Sequence, residues 1–68
     1  MGKLNDPNGE DQWEFSAEIR YETPDAYLVF DGEKEHWLPK SKTEVHHDRG
    51  NVYSFIIPMW LAETKEII

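Results

Sequence analysis

The sequence predicts a β-rich domain: a small, strongly bent antiparallel sheet or barrel of about four strands, with a short helix at its C-terminal end. Three observations predict it. Residues 13 to 22 alternate apolar and polar side chains without a break, Asp31-Gly32 separates two apolar segments as a hairpin turn does, and Pro58 opens an apolar-periodic stretch at the far end. With 68 residues the chain suffices for one small core and is too short for two domains. Such a core rests on a few large side chains, which three Trp, three Tyr and three Phe supply.

Residues 1–11 contain Asn-Asp-Pro-Asn-Gly, a turn-rich and apolar-poor run that predicts a flexible tail, leaving residues 12–68 as a single domain. Trp13, Phe15, Ala17, Ile19 and Tyr21 alternate with Glu14, Ser16, Glu18, Arg20 and Glu22, the period-two pattern of a strand with one dry and one wet face. Thr23-Pro24-Asp25 supplies a turn, because proline lacks a ladder donor and Asp bonds its own backbone. Ala26 to Phe30 is an apolar run too short for a helix and rich in strand formers, and Asp31-Gly32 turns the chain into a third strand, about Lys34 to Leu38, that ends at Pro39. Residues 40 to 51 are polar and read as a loop. Val52 to Ile57 is a fourth strand, and Pro58 stands at the favoured first position of a helix, MWLAETKEII, with Trp60, Leu61, Thr64, Ile67 and Ile68 on one side. A helix this short holds only when docked, so it is expected to plug one open end of an SH3-like or OB-like barrel, with Leu38, Trp60 and Leu61 at the joint; of Trp37 and Leu38, one is expected to line the barrel and the other to meet the helix.

Composition excludes several function classes. Without Cys there is no disulfide framework and no Cys-based zinc site. No apolar run reaches the roughly 18 residues of a membrane span, and the polar start has no signal-peptide core, which predicts a cytoplasmic protein making no membrane contact. No cofactor is expected, and no catalysis: there is no Gly-rich phosphate loop, and Ser16, Ser41 and Ser54 sit in ordinary strand or turn contexts. His46, His47 and Asp48, with His36 from a neighbouring strand, invite a metal reading. Adjacent histidines diverge in an extended segment, however, so these are expected to be exposed loop imidazoles.

Charge is the strongest remaining signal. The net charge of −7 lies wholly in residues 1 to 35, while the second half is neutral, with Lys40, Lys42 and Arg49 close together. An acidic domain attracts basic partners and repels nucleic acid. Glu14, Glu18 and Glu22 are expected to share the wet face of the first strand as an acidic protein-binding face, able to stand in for nucleic-acid phosphates in the basic groove of a host DNA- or RNA-binding protein. Against this stands the plain reading of a solvated face that discourages edge pairing. The rival proposal places Trp37, Lys40, Lys42, Arg49 and Tyr53 together as a stacking platform with a basic rim for single-stranded nucleic acid.

The pairing of D-G-x-x-x-x-W-L-P-K-S (Asp31 to Ser41) with I-P-x-W-L-A-x-x-K-x-I-I (Ile57 to Ile68) resembles short proteins encoded by bacteriophages and prophages. The resemblance covers about the last 40 residues and implies a phage accessory protein in the host cytoplasm; it supplies no reaction. Two departures stand out: His46 and His47 occupy a stretch expected to be more acidic, and Lys65-Glu66 replaces a usual Lys-Gly. Together these readings predict a non-enzymatic binding protein acting through a basic protein partner.

Overall fold

The computed structural model describes the backbone of residues 2–5 and the full residues 11–68. Six strands form one antiparallel sheet: β1 (Gly2–Asn5), β2 (Asp11–Glu22), β3 (Ala26–Phe30), β4 (Glu35–Pro39), β5 (Glu44–Arg49) and β6 (Val52–Pro58). A 3-10 turn at Lys40–Lys42 links β4 to β5, and the helix α1 (Met59–Thr64) follows β6. The order is β4-β3-β2-β6-β5, with β1 added to β2. β2 organises the sheet. Residues 12–18 pair with β6, while β1 takes residues 11–14 and β3 takes residues 18–22.

The alternation that predicts β2 also explains which face is dry. Trp13, Phe15, Ala17 and Ile19 face inward with their partners Ile57, Phe55, Tyr53 and Val29. Phe15, Ala17, Val29, Leu38, Phe55 and Ile57 are buried on this inner face, and Leu61 and Ala62 of α1 close it. Phe15 and Phe55 stack with centroids 5.6 Å apart. At 12 residues and about 3.3 Å each, a straight β2 would span roughly 36 Å, more than the 31 Å longest extent of the molecule. It therefore bends, and a bulge at Arg20 marks where: Ile19 pairs with Val29 and Tyr21 with Leu28, leaving Arg20 extra.

The turns follow local chemistry. The Thr23 hydroxyl, rather than Asp25, organises the first, accepting the Ala26 N–H at 3.0 Å and the Asp25 N–H at 3.3 Å. At the β3–β4 turn Gly32 takes φ 104°, and Asp31 accepts the N–H groups of Glu33 and Lys34 at 2.8 and 2.9 Å. α1 ends where Glu66 takes φ 58°; the Glu66 N–H reaches the Glu63 carbonyl at 3.1 Å and the Ile67 N–H reaches that of Ala62 at 2.9 Å, the paired bonds of a Schellman cap.

Five expectations are corrected. The sheet is open, not closed into a barrel, because β4 and β5 lie at opposite ends of the order. Within the expected tail of residues 1–11, Gly2–Asn5 form β1 and Asp11 begins β2; residues 6–10 lie outside the described part. Glu44–Arg49, expected as loop, is a strand held by the free side of β6. The helix is six residues long, and Pro58 precedes it as the end of β6. Finally, Trp60 does not join helix to sheet: it is 50% exposed, and Leu61 and Ala62 make the contact.

Candidate protein-binding face

The uncovered outer face is built by the same strands. Register places Glu14, Ser16 and Glu18 of β2 there, beside Ile56, Ser54 and Val52 of β6. On the other side of β2 stand Phe30 and Leu28 of β3, then Glu35 and Trp37 of β4. The bulge at Arg20 adds Tyr21 to this face, opposite Leu28. Tyr21 and Trp37 consequently meet edge to face at 6.3 Å between centroids, while remaining 61% and 44% exposed. Such aromatic pairs bury apolar area in water only when something covers them.

The bulge divides the expected acidic row. Glu14 and Glu18 share the outer face, but Glu22 pairs with Tyr27, whose ring packs on Phe55 beneath the sheet. Each of the three carboxylates also has a partner: Ser54 donates its hydroxyl to Glu14 at 2.7 Å, Arg20 Nε lies 3.3 Å from Glu18, and Lys40 Nζ lies 2.5 Å from Glu22. Arg20 also covers the Phe30 ring at 4.3 Å. Of the other carboxylates, Glu35 shares the outer face with Trp37. Asp25, Glu33 and Glu35 flank the two ends of β4 and make no ion pair among the described residues.

The expected stacking platform is dispersed. Trp37 lies on the outer face of β4 at one end of the sheet, Arg49 on β5 at the other, and Tyr53 on the inner face, where its ring meets those of His47 and Phe55. Lys40 is engaged with Glu22 and lies 4.9 Å over the Tyr27 ring; Lys42 is exposed on the 3-10 turn. Of the adjacent Trp37 and Leu38, Leu38 is the one buried in the inner core with Leu61, while Trp37 lies on the opposite side of the sheet from α1.

The histidines separate likewise. His46 pairs with Glu44 on the outer face, and His47 lies 3.1 Å from the Gly50 carbonyl. Among the described residues no three His, Asp or Glu side chains converge as a metal site. His36 is different, being buried on the inner face, with Nε2 2.8 Å from Asp31 Oδ2. Burial opposes ionisation of Asp31, but the Lys34 N–H, the His36 ring and the Glu33 N–H outweigh it and hold its pKa at about 2. An ionised carboxylate only accepts, so Nε2 carries the proton in this bond. The signal for this pair, an Asp five residues before a His across a hairpin turn, is present in the sequence and readable once the turn is placed.

Among the described residues no helix is long and apolar enough to cross a membrane. Compared with protein-family models, curated proteins and solved structures, the chain matches none.

Proposed function

We propose that this chain is a non-enzymatic binding domain of the phage or prophage accessory kind, working in a host cytoplasm, and that it holds a basic protein partner on the outer face of its sheet. One observation supports the reading: the Tyr21–Trp37 pair stands exposed on the same face as Glu35, which makes no ion pair among the described residues, on a chain of net charge −7. Aromatic rings amid negative charge recognise Lys and Arg side chains twice over, by Coulomb attraction and by cation–π contact. Interfaces draw their energy from a few such anchors. In its sharper form the reading makes Glu14 and Glu18, which share this face, stand-ins for phosphates in a groove that otherwise holds nucleic acid.

The test is a titration of tryptophan fluorescence at low and moderate salt, with a small basic protein such as cytochrome c in one arm and single-stranded and duplex oligonucleotides in the other. The expected result is saturable, salt-sensitive binding of the basic protein, weakened when Glu14 and Glu18 become Lys, and a flat response to both oligonucleotides. Oligonucleotide binding that falls with salt would overturn the proposal.

A further inference from the structure

The two turns that frame β4 reveal which of its backbone groups are satisfied. The Asp31 N–H bonds the Lys34 carbonyl at 3.1 Å, and the Lys40 N–H bonds the Asp25 carbonyl at 2.8 Å. Opposed residues of an antiparallel pair alternate between hydrogen-bonded and non-hydrogen-bonded positions. Counting inward from either turn gives the same result: His36 and Leu38 bond to Val29 and Tyr27, while Glu35, Trp37 and Pro39 turn their backbone groups away from β3. Pro39, with no N–H, occupies one of these outward positions, as a proline in an edge strand must. β4 ends the sheet order, so these groups line an edge with no further strand among the described residues.

The two ends of the strand order are not alike. β5 carries a bulge at Asp48 and the polar outer side chains Glu44, His46 and Arg49, which discourage pairing. β4 is unbulged and centres on the half-exposed Trp37. Its outward row is Glu35, Trp37 and Pro39, with Glu33 beyond one end and Asp25 beside the other. Lys34 and Lys40, which flank this strand, are paired with Glu66 and Glu22, and Lys42 lies beyond Pro39, so an occupant of this edge is extended and apolar opposite Trp37, and it is the chain's net charge of −7 that favours a basic one. A second copy of this chain, also of net charge −7, lacks that charge complementarity.

We infer that an extended basic segment of a protein partner adds to the sheet along β4, bonding the N–H and C=O of Trp37 and resting a side chain on the Tyr21–Trp37 pair. The inference rests on the proposed function and assigns where and how the partner is held. Strand addition takes affinity from main-chain bonds and specificity from alternate side chains.

The test uses the whole chain and the peptide acetyl-Lys-Thr-Lys-Thr-Val-Thr-Lys-Thr-Lys-amide, which presents one Val between lysines on a single strand face, followed by calorimetry. The same peptide N-methylated at alternate nitrogens, in either of the two alternating sets, keeps its charge and loses the ladder donors of one edge. Methylation is expected to weaken binding about tenfold on the edge that meets β4. In the chain, Glu35→Pro removes an outward N–H without touching the bonds to β3, and Glu35→Gln removes only the charge; the first is expected to weaken binding several-fold more than the second. Amide exchange at Trp37 is expected to slow when peptide is bound. Equal affinity for the plain and both methylated peptides overturns strand addition while leaving a basic partner in place. Strand addition is likewise overturned if no peptide binds but cytochrome c does. A dimer in sedimentation, with Trp37 protected in the absence of peptide, overturns the inference in favour of a second copy. Failure of every basic probe removes both the inference and the function beneath it.

Discussion

Glu66 occupies a position that favours glycine. Its φ of 58° places a side chain where Cβ crowds the backbone, and the two bonds of the helix cap depend on that conformation. Its ion pair with Lys34, at 3.6 Å between largely exposed groups, offsets little of the strain. Glu66→Gly is expected to stabilise the domain by about 0.5–1 kcal/mol, read as a higher urea midpoint. A lower midpoint would mean that the cap is not formed in solution. Asp31 poses the opposite case, since its carboxylate ties a turn and a buried imidazole. Its pKa falls from 3.8 to about 2 on folding, so the stabilisation is complete above pH 4 and disappears as the pH drops toward 2. The shift corresponds to about 2 kcal/mol. Asp31→Ala is expected to destabilise the chain at neutral pH by at least that much, and urea midpoints of variant and parent should converge between pH 4 and pH 2. A constant gap over that range would show that the ionised form is not the favoured one.

Among the elements, α1 tests how burial is distributed in a helix too short to stand alone. Leu61 is buried on the inner face of the sheet while its neighbour Trp60 is half exposed. Leu61→Ala is expected to cost about 2–5 kcal/mol and Trp60→Ala less than about 0.5 kcal/mol, in urea melts of the two variants. Reversal of that order would place the larger ring, not Leu61, at the joint. The sequence showed β2, β3, β4 and β6 because each alternates or clusters its apolar residues, and it showed the Asp31-Gly32 turn through its chemistry. β5 was hidden: only Val45 and His47 face inward, and its hydrogen bonds to β6, not an apolar stripe, make it a strand. The bulge at Arg20 left no trace either. Ile19, Arg20, Tyr21 and Glu22 keep alternating in polarity while the backbone slips one position, so Tyr21 moves to the outer face and Glu22 to the inner. That single slip separates the acidic row read from the sequence from the aromatic and carboxylate face of the structure.

For the whole molecule, the open sheet raises the question of what keeps it from flattening. The radius of gyration of 11.2 Å is close to the roughly 11 Å of a compact chain this long, so bending of β2 and closure by α1 replace strand-to-strand closure. The two ends of the strand order differ, one bulged and polar, one with Trp37 at its centre. The centre of the core also joins residues far apart in the chain: Phe15 is paired with Phe55, and Ser54 bonds Glu14 across a separation of 40 residues. The β3–β4 hairpin closes locally and soon, whereas joining β2 to β6 must first overcome the entropy of closing that long loop. Formation of the β2–β6 pair is therefore expected to set the folding rate. In stopped-flow measurements Phe55→Leu is expected to slow folding, and Leu38→Val in the hairpin chiefly to speed unfolding, as they must if the time this chain needs to assemble its outer face is governed by β6 reaching β2.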